Sequence, residues 1–270
     1  MSPPLPPLRE AGSGRPVVCL HSSASSGAQW RSLMNALAPD WRVICPDLCG
    51  YGKATDLASL EDFGLLDEVT RLEPLLRAAG EPTYLVGHSY GGLIALLTAV
   101  NLPQYVRAIV VYEPAAWSIA VNADPSHQGA REIEELRQSI IRLSDQGQAM
   151  AAAEAFIRYW TGDRGWESMP DDRRTITAGL MRKIRDEFSS EILAQERDII
   201  GADRFAQISV PVGYYHGSAT KASCKRLTEI PAPALASGET TELEGLGHMG
   251  PVTHSAAFNA AVAAFLGRQG

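Results

Sequence analysis

The chain has no basic cluster or stripe. Its formal charge is −7 and charged residues make up 20% of it, so no nucleic-acid-binding surface is expected. It has no long hydrophobic run either. The longest largely apolar stretch, Leu93 to Val100, falls far short of the roughly 20 residues a membrane-crossing helix needs. The opening, Met1-Ser2-Pro3-Pro4-Leu5-Pro6-Pro7, lacks a charged n-region and an apolar core. It reads as a loose, extended tail and not as a signal peptide. Cysteine is sparse: Cys19 and Cys45 fall in apolar strand-like runs, and Cys45 and Cys49 lack a second ligand pair at zinc spacing. No metal site is therefore expected. No internal repeat or long low-complexity segment is present. What remains is an ordinary globular balance, with 45% hydrophobic residues over 270 positions. That is enough for one large α/β domain or two small ones. A soluble, reduced, cytoplasmic protein is the expectation.

Short β-rich runs alternate with helical patterns, the signature of a mostly parallel central sheet flanked by helices. Val17 to Leu20, Trp41 to Cys45, Tyr84 to Val86, Val106 to Tyr112, Val210 to Tyr215 and Thr240 to Leu246 read as strands. Ala28 to Leu37 reads as a helix with Trp30, Leu33, Met34 and Leu37 on one face. Leu65 to Ala79 reads as another, with Leu66, Val69, Leu72 and Leu76 inward. Ala256 to Leu266 closes the chain as a helix. One region breaks the alternation. After the strand ending at Glu113, residues 115–206 contain no convincing strand. Glu132 to Leu143, Ala149 to Tyr159 and Thr175 to Phe188 read instead as helices, a helical insertion in a core formed by residues 1–114 and 207–270.

The most informative motif is Gly87-His88-Ser89-Tyr90-Gly91, which follows the strand and opens the helical run of Gly92 to Leu97. A serine in a G-x-S-x-G turn between strand and helix projects its hydroxyl out of the sheet. The residues two before and two after it come so close that both must be nearly free of side chain, a need that Gly87 and Gly91 meet. Ser89 is thus a candidate nucleophile. A serine hydroxyl is a poor nucleophile at neutral pH and needs a base beside it. Of the six histidines, His248 in Gly245-Leu246-Gly247-His248-Met249-Gly250-Pro251 stands on a glycine-rich loop beyond the last strand, with the reach such a base needs. His254 is the fallback. His88, inside the turn, is expected to point away from the serine. Acyl transfer also needs donors for an oxyanion. The backbone N–H of Tyr90 is one; the loop His21 to Gly27 is expected to supply another. The aromatic residues of the insertion, Trp117, Phe156, Tyr159, Trp160 and Trp166, are expected to pack it together and to line an apolar pocket above Ser89. Trp117, Tyr159, Trp160 and Met249 are the substrate-binding candidates.

At these residues the chain resembles the α/β-hydrolase family, in its capped, single-domain form. His21-Ser22-Ser23 resembles the family's histidine-glycine-x oxyanion loop, with Ser22 in place of the usual glycine. By that match the N–H of Ser23 is the second oxyanion donor. Pro46-Asp47-Leu48-Cys49-Gly50-Tyr51-Gly52-Lys53 resembles the family's P-D-x-x-G-x-G-x-S segment, with Lys53 departing from the common serine. Gly247-His248 matches its terminal glycine-histidine. The insertion aligns with the family's variable cap. Most members carry the triad carboxylate after the penultimate strand, but His216 to Ser223 contains no Asp or Glu and Thr220 stands at about that place. Relatives of the dehalogenase-like branch carry a glutamate after the strand that follows the nucleophile helix. Glu113 sits there; Asp47 is the second candidate acid. The resemblance implies a serine hydrolase of small carboxylic esters or lactones, using Ser89, His248 and Glu113 with Ser23 and Tyr90 as oxyanion donors. It implies no cofactor and no metal. The partner is a small-molecule substrate, not nucleic acid or membrane, and the protein is expected as a monomer or homodimer. A C–C bond hydrolase of vinylogous diketones and a ligand receptor with little turnover are the alternatives.

Overall fold

The fold is a computed structural model. It describes residues 5–54, 63–189, 192, 194–195, 202–230, 235 and 237–269. The Met1–Pro4 part of the expected tail lies outside the described residues. Seven strands form one sheet in the order β1-β3-β2-β4-β5-β6-β7. They are β1 Leu8–Ala11, β2 Arg15–Leu20, β3 Trp41–Pro46, β4 Thr83–His88, β5 Val106–Tyr112, β6 Val212–Gly217 and β7 Gly238–Leu243. Only β1 is antiparallel, running Leu8 against Pro46 and Ala11 against Val43. The remaining neighbours pair in parallel.

The central strands are buried on both faces, and so they read as continuous apolar runs. Successive side chains alternate between two cores. Val18, Leu20, Ile44, Leu85, Ile109 and Val111 face one; Val17, Cys19, Val43, Cys45, Val86 and Val110 face the other. The first core is covered by α2 (Leu65–Ala78) and α3 (Tyr90–Asn101), the second by α1 (Arg31–Leu37) and the closing helix α10 (Ser255–Gln269). Between β5 and β6 come α4 (Trp117–Ala123), α5 (Gln128–Asp145), α6 (Ala149–Glu167), α7 (Asp171–Gly179) and α8 (Met181–Glu187). No strand lies among them in the described residues. Helix α9 (Ala222–Glu229) follows β6.

Several expectations are corrected. β1 was not expected; it is short, holds Arg9 and Glu10, and lies at the sheet edge, where a mixed pattern is tolerated. The tail before it is held at Pro7, whose carbonyl accepts the Asp47 N–H at 2.7 Å. The stretch expected as one helix from Thr175 to Phe188 is two, α7 and α8, joined at Leu180. Leu66 is 41% exposed; α2 buries Leu65, Val69, Leu72, Leu75 and Leu76 instead.

The turn from β4 into α3 depends on its glycines. A Cβ on Gly91 would run into the carbonyl oxygens of Leu20 and His21, and one on Gly87 would meet the Gly92 Cα at 2.6 Å. Backbone cannot yield as a flexible side chain can. Gly91→Ala is therefore expected to lower stability by about 1–3 kcal/mol or more. Gly179→Ala, at the end of α7 where an added Cβ meets nothing within 4 Å, should hold stability or raise it by up to about 1 kcal/mol, since alanine is the better helix former. Urea midpoints of the two variants check this, and equal midpoints would contradict it.

Candidate active site

The parallel strands all end on one edge, and their loops meet there, where ligands bind in open α/β sheets. Ser89 sits between β4 and α3 with φ 52° and ψ −117°. Its N–H donates to the Tyr112 carbonyl and its carbonyl accepts from Ala115 N–H, both at 3.0 Å. The neighbouring strand end thus pins it in a conformation that L-residues rarely adopt. Among the described residues, three non-glycine positions have positive φ: Ala24, Ser89 and Glu113. All three lie in loops of this edge. Backbone strain of this kind concentrates at functional sites, where the surrounding structure must hold it.

Glu113, at the end of β5, is fully buried. Its Oε2 lies 2.8 Å from His248 Nδ1 and accepts the Thr220 hydroxyl at 2.8 Å; its Oε1 accepts the Gly217 N–H at 2.9 Å. Burial pushes its carboxyl up. The hydrogen bond and charge of His248, with the Gly217 N–H and the Cys224 thiol, outweigh that and hold it below the ordinary value. Asp47, the second candidate acid, bonds elsewhere. It accepts the Gly27 and Lys53 N–H groups at 2.8 Å each and lies 3.6 Å from the Arg9 guanidinium. Its position is that of a loop brace.

His248 follows β7 in a loop held from beneath. The Tyr112 hydroxyl donates to the Gly247 carbonyl at 2.7 Å, and His88 Nε2 donates to the His248 carbonyl at 2.8 Å. His88 Nδ1 in turn accepts the Gln29 amide at 3.1 Å, and Gln29 Oε1 accepts the N–H and hydroxyl of Ser22 at 3.1 and 2.9 Å. Burial, with the nearby His248 ring, pushes the His88 pKa well below its ordinary value, which keeps the ring neutral and able to both donate and accept. The sequence offered no signal for this bracing role. His21 is likewise buried and neutral. Burial lowers its pKa to about 4, and its Nε2 accepts the Leu48 N–H at 2.9 Å. His254 is exposed and bonds the Thr253 hydroxyl.

Two adjoining cavities open at Ser89. The outer one, about 220 Å³, is lined by Ser89, His248, Ser23, Met249, Trp160 and others. The inner one, about 30 Å³, is lined by Ser89, Ser23, Tyr90, Trp117 and Phe156 among others. Trp160 borders both, and its indole stacks on the His248 ring at 4.0 Å and 30°. Tyr159 lines neither: its hydroxyl bonds Ser223 at 2.8 Å and its ring faces the Lys221 ammonium at 5.0 Å. The geometry corrects its expected place in the pocket wall. Trp166 packs under the Arg174 guanidinium. Tyr90 opens α3, so its N–H has no acceptor within the helix, and Ser23 lies across the same cavity.

Glu113, Cys224 and His248 offer ligand atoms within 4.8 Å of one another, the one such cluster among the described residues. Burial, then the charge of Glu113, pushes the Cys224 thiol well above its ordinary pKa. A metal there would displace the His248–Glu113 bond. No described helix is long and apolar enough to cross a membrane.

A family model described as alpha/beta hydrolase fold matches residues 15–198. Over 108 residues the chain is 34% identical to 2-hydroxy-6-oxo-2,4-heptadienoate hydrolase of Pseudomonas putida, covering 38% of this chain and 39% of that protein. Over 258 residues it is 24% identical to pimeloyl-(acyl-carrier protein) methyl ester esterase of Yersinia enterocolitica, covering 92% of each. The chain spans about two fifths of the length of the first curated relatives it matches, 39% and 41%. The solved esterase of Exiguobacterium antarcticum shares the fold, with a TM-score of 0.76 at 20% identity over 96% of this chain and 94% of that one.

The buried carboxylate carries a pH signature. Because its pKa is depressed on folding, Glu113 stabilises the protein above the usual carboxylate value of 4.5, and that contribution is lost as pH falls through the lower folded value. The urea-midpoint gap between wild type and Glu113→Gln should be widest above that value and narrow below it. A gap independent of pH from 3 to 6, a range of roughly three units around the titration, would contradict the assignment of charge.

Proposed function

Because the chain belongs to the alpha/beta hydrolase fold family, we propose that it is a serine hydrolase of small, mostly uncharged carboxylic esters or lactones. The observation that carries this reading is the 2.8 Å contact of His248 Nδ1 with the buried Glu113 carboxylate, in a site where Ser89 and His248 share one cavity. With its Nδ1–H given to Glu113, the His248 ring keeps the Nε2 lone pair for a proton. Ser89 Oγ attacks the carbonyl carbon as Nε2 takes its proton. The N–H groups of Ser23 and Tyr90 receive the oxyanion. The imidazolium, stabilised by Glu113, then protonates the leaving alkoxide. Water, deprotonated by His248, cleaves the acyl-enzyme and returns Ser89 to its starting state.

In this reading residues 115–206 are a helical cap over the core of 1–114 and 207–270. Support comes from α4–α8, which fall between β5 and β6, and from Trp117, Phe156 and Trp160, which reach the cavities at Ser89. The C–C bond alternative ranks second. The Pseudomonas putida relative acts, by its name, on an acid, whereas among the described residues no Lys or Arg lines either cavity here. A receptor would acylate once and stop.

Ser89→Ala is expected to lower ester hydrolysis on the order of 10³-fold or more, because the reacting groups act as a unit. A fluorophosphonate should label wild type at Ser89 and leave the variant unlabelled. An active Ser89→Ala, or labelling elsewhere, would refute the nucleophile. A burst of one equivalent without steady turnover would select the receptor.

A further inference from the structure

Resting on the reading of Ser89 as nucleophile, we infer that Glu187 sets the charge of the acyl group the site accepts. A short, uncharged acyl chain enters; the same chain ending in a carboxylate is rejected. Glu187 is the last residue of α8 and lines the inner cavity with Ser23 and Ser89. The rest of that cavity is chiefly apolar, with Leu65, Leu93, Trp117 and Phe156 in its wall. Glu187 is the one acidic residue in its lining, and among the described residues no Lys or Arg lines either cavity.

The carboxylate is fixed in place. Its Oε2 accepts the Ser23 hydroxyl at 2.6 Å; its Oε1 accepts the Tyr51 hydroxyl at 2.7 Å and lies 3.1 Å from Lys183 Nζ. It therefore has little freedom to turn aside for a ligand. The balancing ammonium does not line the cavity. The Lys183 side chain is 2% exposed, and its Nζ lies over the rings of Phe63, Tyr90 and Tyr51 at 4.1, 4.8 and 5.7 Å. A ligand in the inner cavity meets the negative end of the pair first. A second carboxylate would have to lose its water there beside a fixed like charge, and no cation would receive it. A methyl end instead gains contact with the apolar wall. The same Glu187 ties the proposed cap to the loop of Ser23, so the filter is built where the two meet.

Ethyl butyrate and monoethyl succinate test this, since their acyl chains have the same number of chain carbons and differ in a terminal methyl or carboxylate. Wild type is expected to prefer the butyrate in kcat/KM by ~100-fold or more, since a like charge costs several kcal/mol and 1.4 kcal/mol is tenfold. Glu187→Gln keeps an acceptor oxygen for one of the Ser23 and Tyr51 hydroxyls and turns its amide NH2 to the oxygen of the other, and it should narrow the ratio by about tenfold or more. Because it takes the paired carboxylate from Lys183, whose Nζ keeps the Tyr90 hydroxyl at 3.3 Å, the double variant Glu187→Gln/Lys183→Met removes both charges of the pair and should also narrow the ratio, by less. A wild-type ratio near one, or a ratio unchanged in whichever variant folds, overturns the inference while leaving Ser89 as nucleophile. Absence of Ser89-dependent hydrolysis of ethyl butyrate, with no fluorophosphonate labelling, overturns the functional reading and this inference with it.

Discussion

The site is organised around one buried negative charge. A carboxylate removed from water costs several kcal/mol unless it is hydrogen-bonded and paired. Glu113 meets that demand with donors from three places: the Gly217 N–H at the end of β6, the Thr220 hydroxyl beyond it, and His248 after β7. Each donor must come to the carboxylate for the fold to be stable. Satisfying one charge therefore fixes the relative positions of the loops after β5, β6 and β7. The strained φ of 44° at Glu113 is maintained because these bonds, and its own N–H to the Tyr215 carbonyl at 3.0 Å, hold it from several sides.

The ring of His248 is aimed by Glu113, but its backbone is aimed by other residues. Tyr112 and the neutral His88 hold the carbonyls of Gly247 and His248. Through Gln29, His88 also communicates with Ser22 in the loop after β2. The loop proposed to receive an oxyanion and the loop proposed to move the proton thus share one hydrogen-bonded chain. Trp160 closes the arrangement from the other side by stacking on the imidazole. Preorganised groups of this kind need little rearrangement when charge develops, which is where most of their catalytic value lies.

Much of this was legible in the sequence because its signals are local. Alternating apolar runs mark the parallel strands, and Gly87 and Gly91 around Ser89 mark the turn, since backbone packs where their side chains would be. Glu113 was legible only through the resemblance, once the stretch from His216 to Ser223 was seen to lack an acid. Thr220, at the place where most relatives carry that acid, donates to Glu113 instead. What was missed depends on distant pairs. β1 is stabilised by pairing with β3 and not by its own pattern. Tyr159 and Trp160 are adjacent on α6, yet only Trp160 reaches the cavities. Glu187 meets Ser23 across 164 positions of sequence, and nothing near either residue announces it.

The measurement closest to the centre of this account is kcat for Glu113→Gln, with KM, on a small neutral ester. The glutamine keeps the size of the side chain and removes the anion. If Glu113 orients His248 and stabilises the imidazolium, kcat should fall on the order of 10³- to 10⁴-fold with KM little changed. A kcat within about tenfold of wild type, well short of the loss expected when a triad acid is neutralised, would contradict the account.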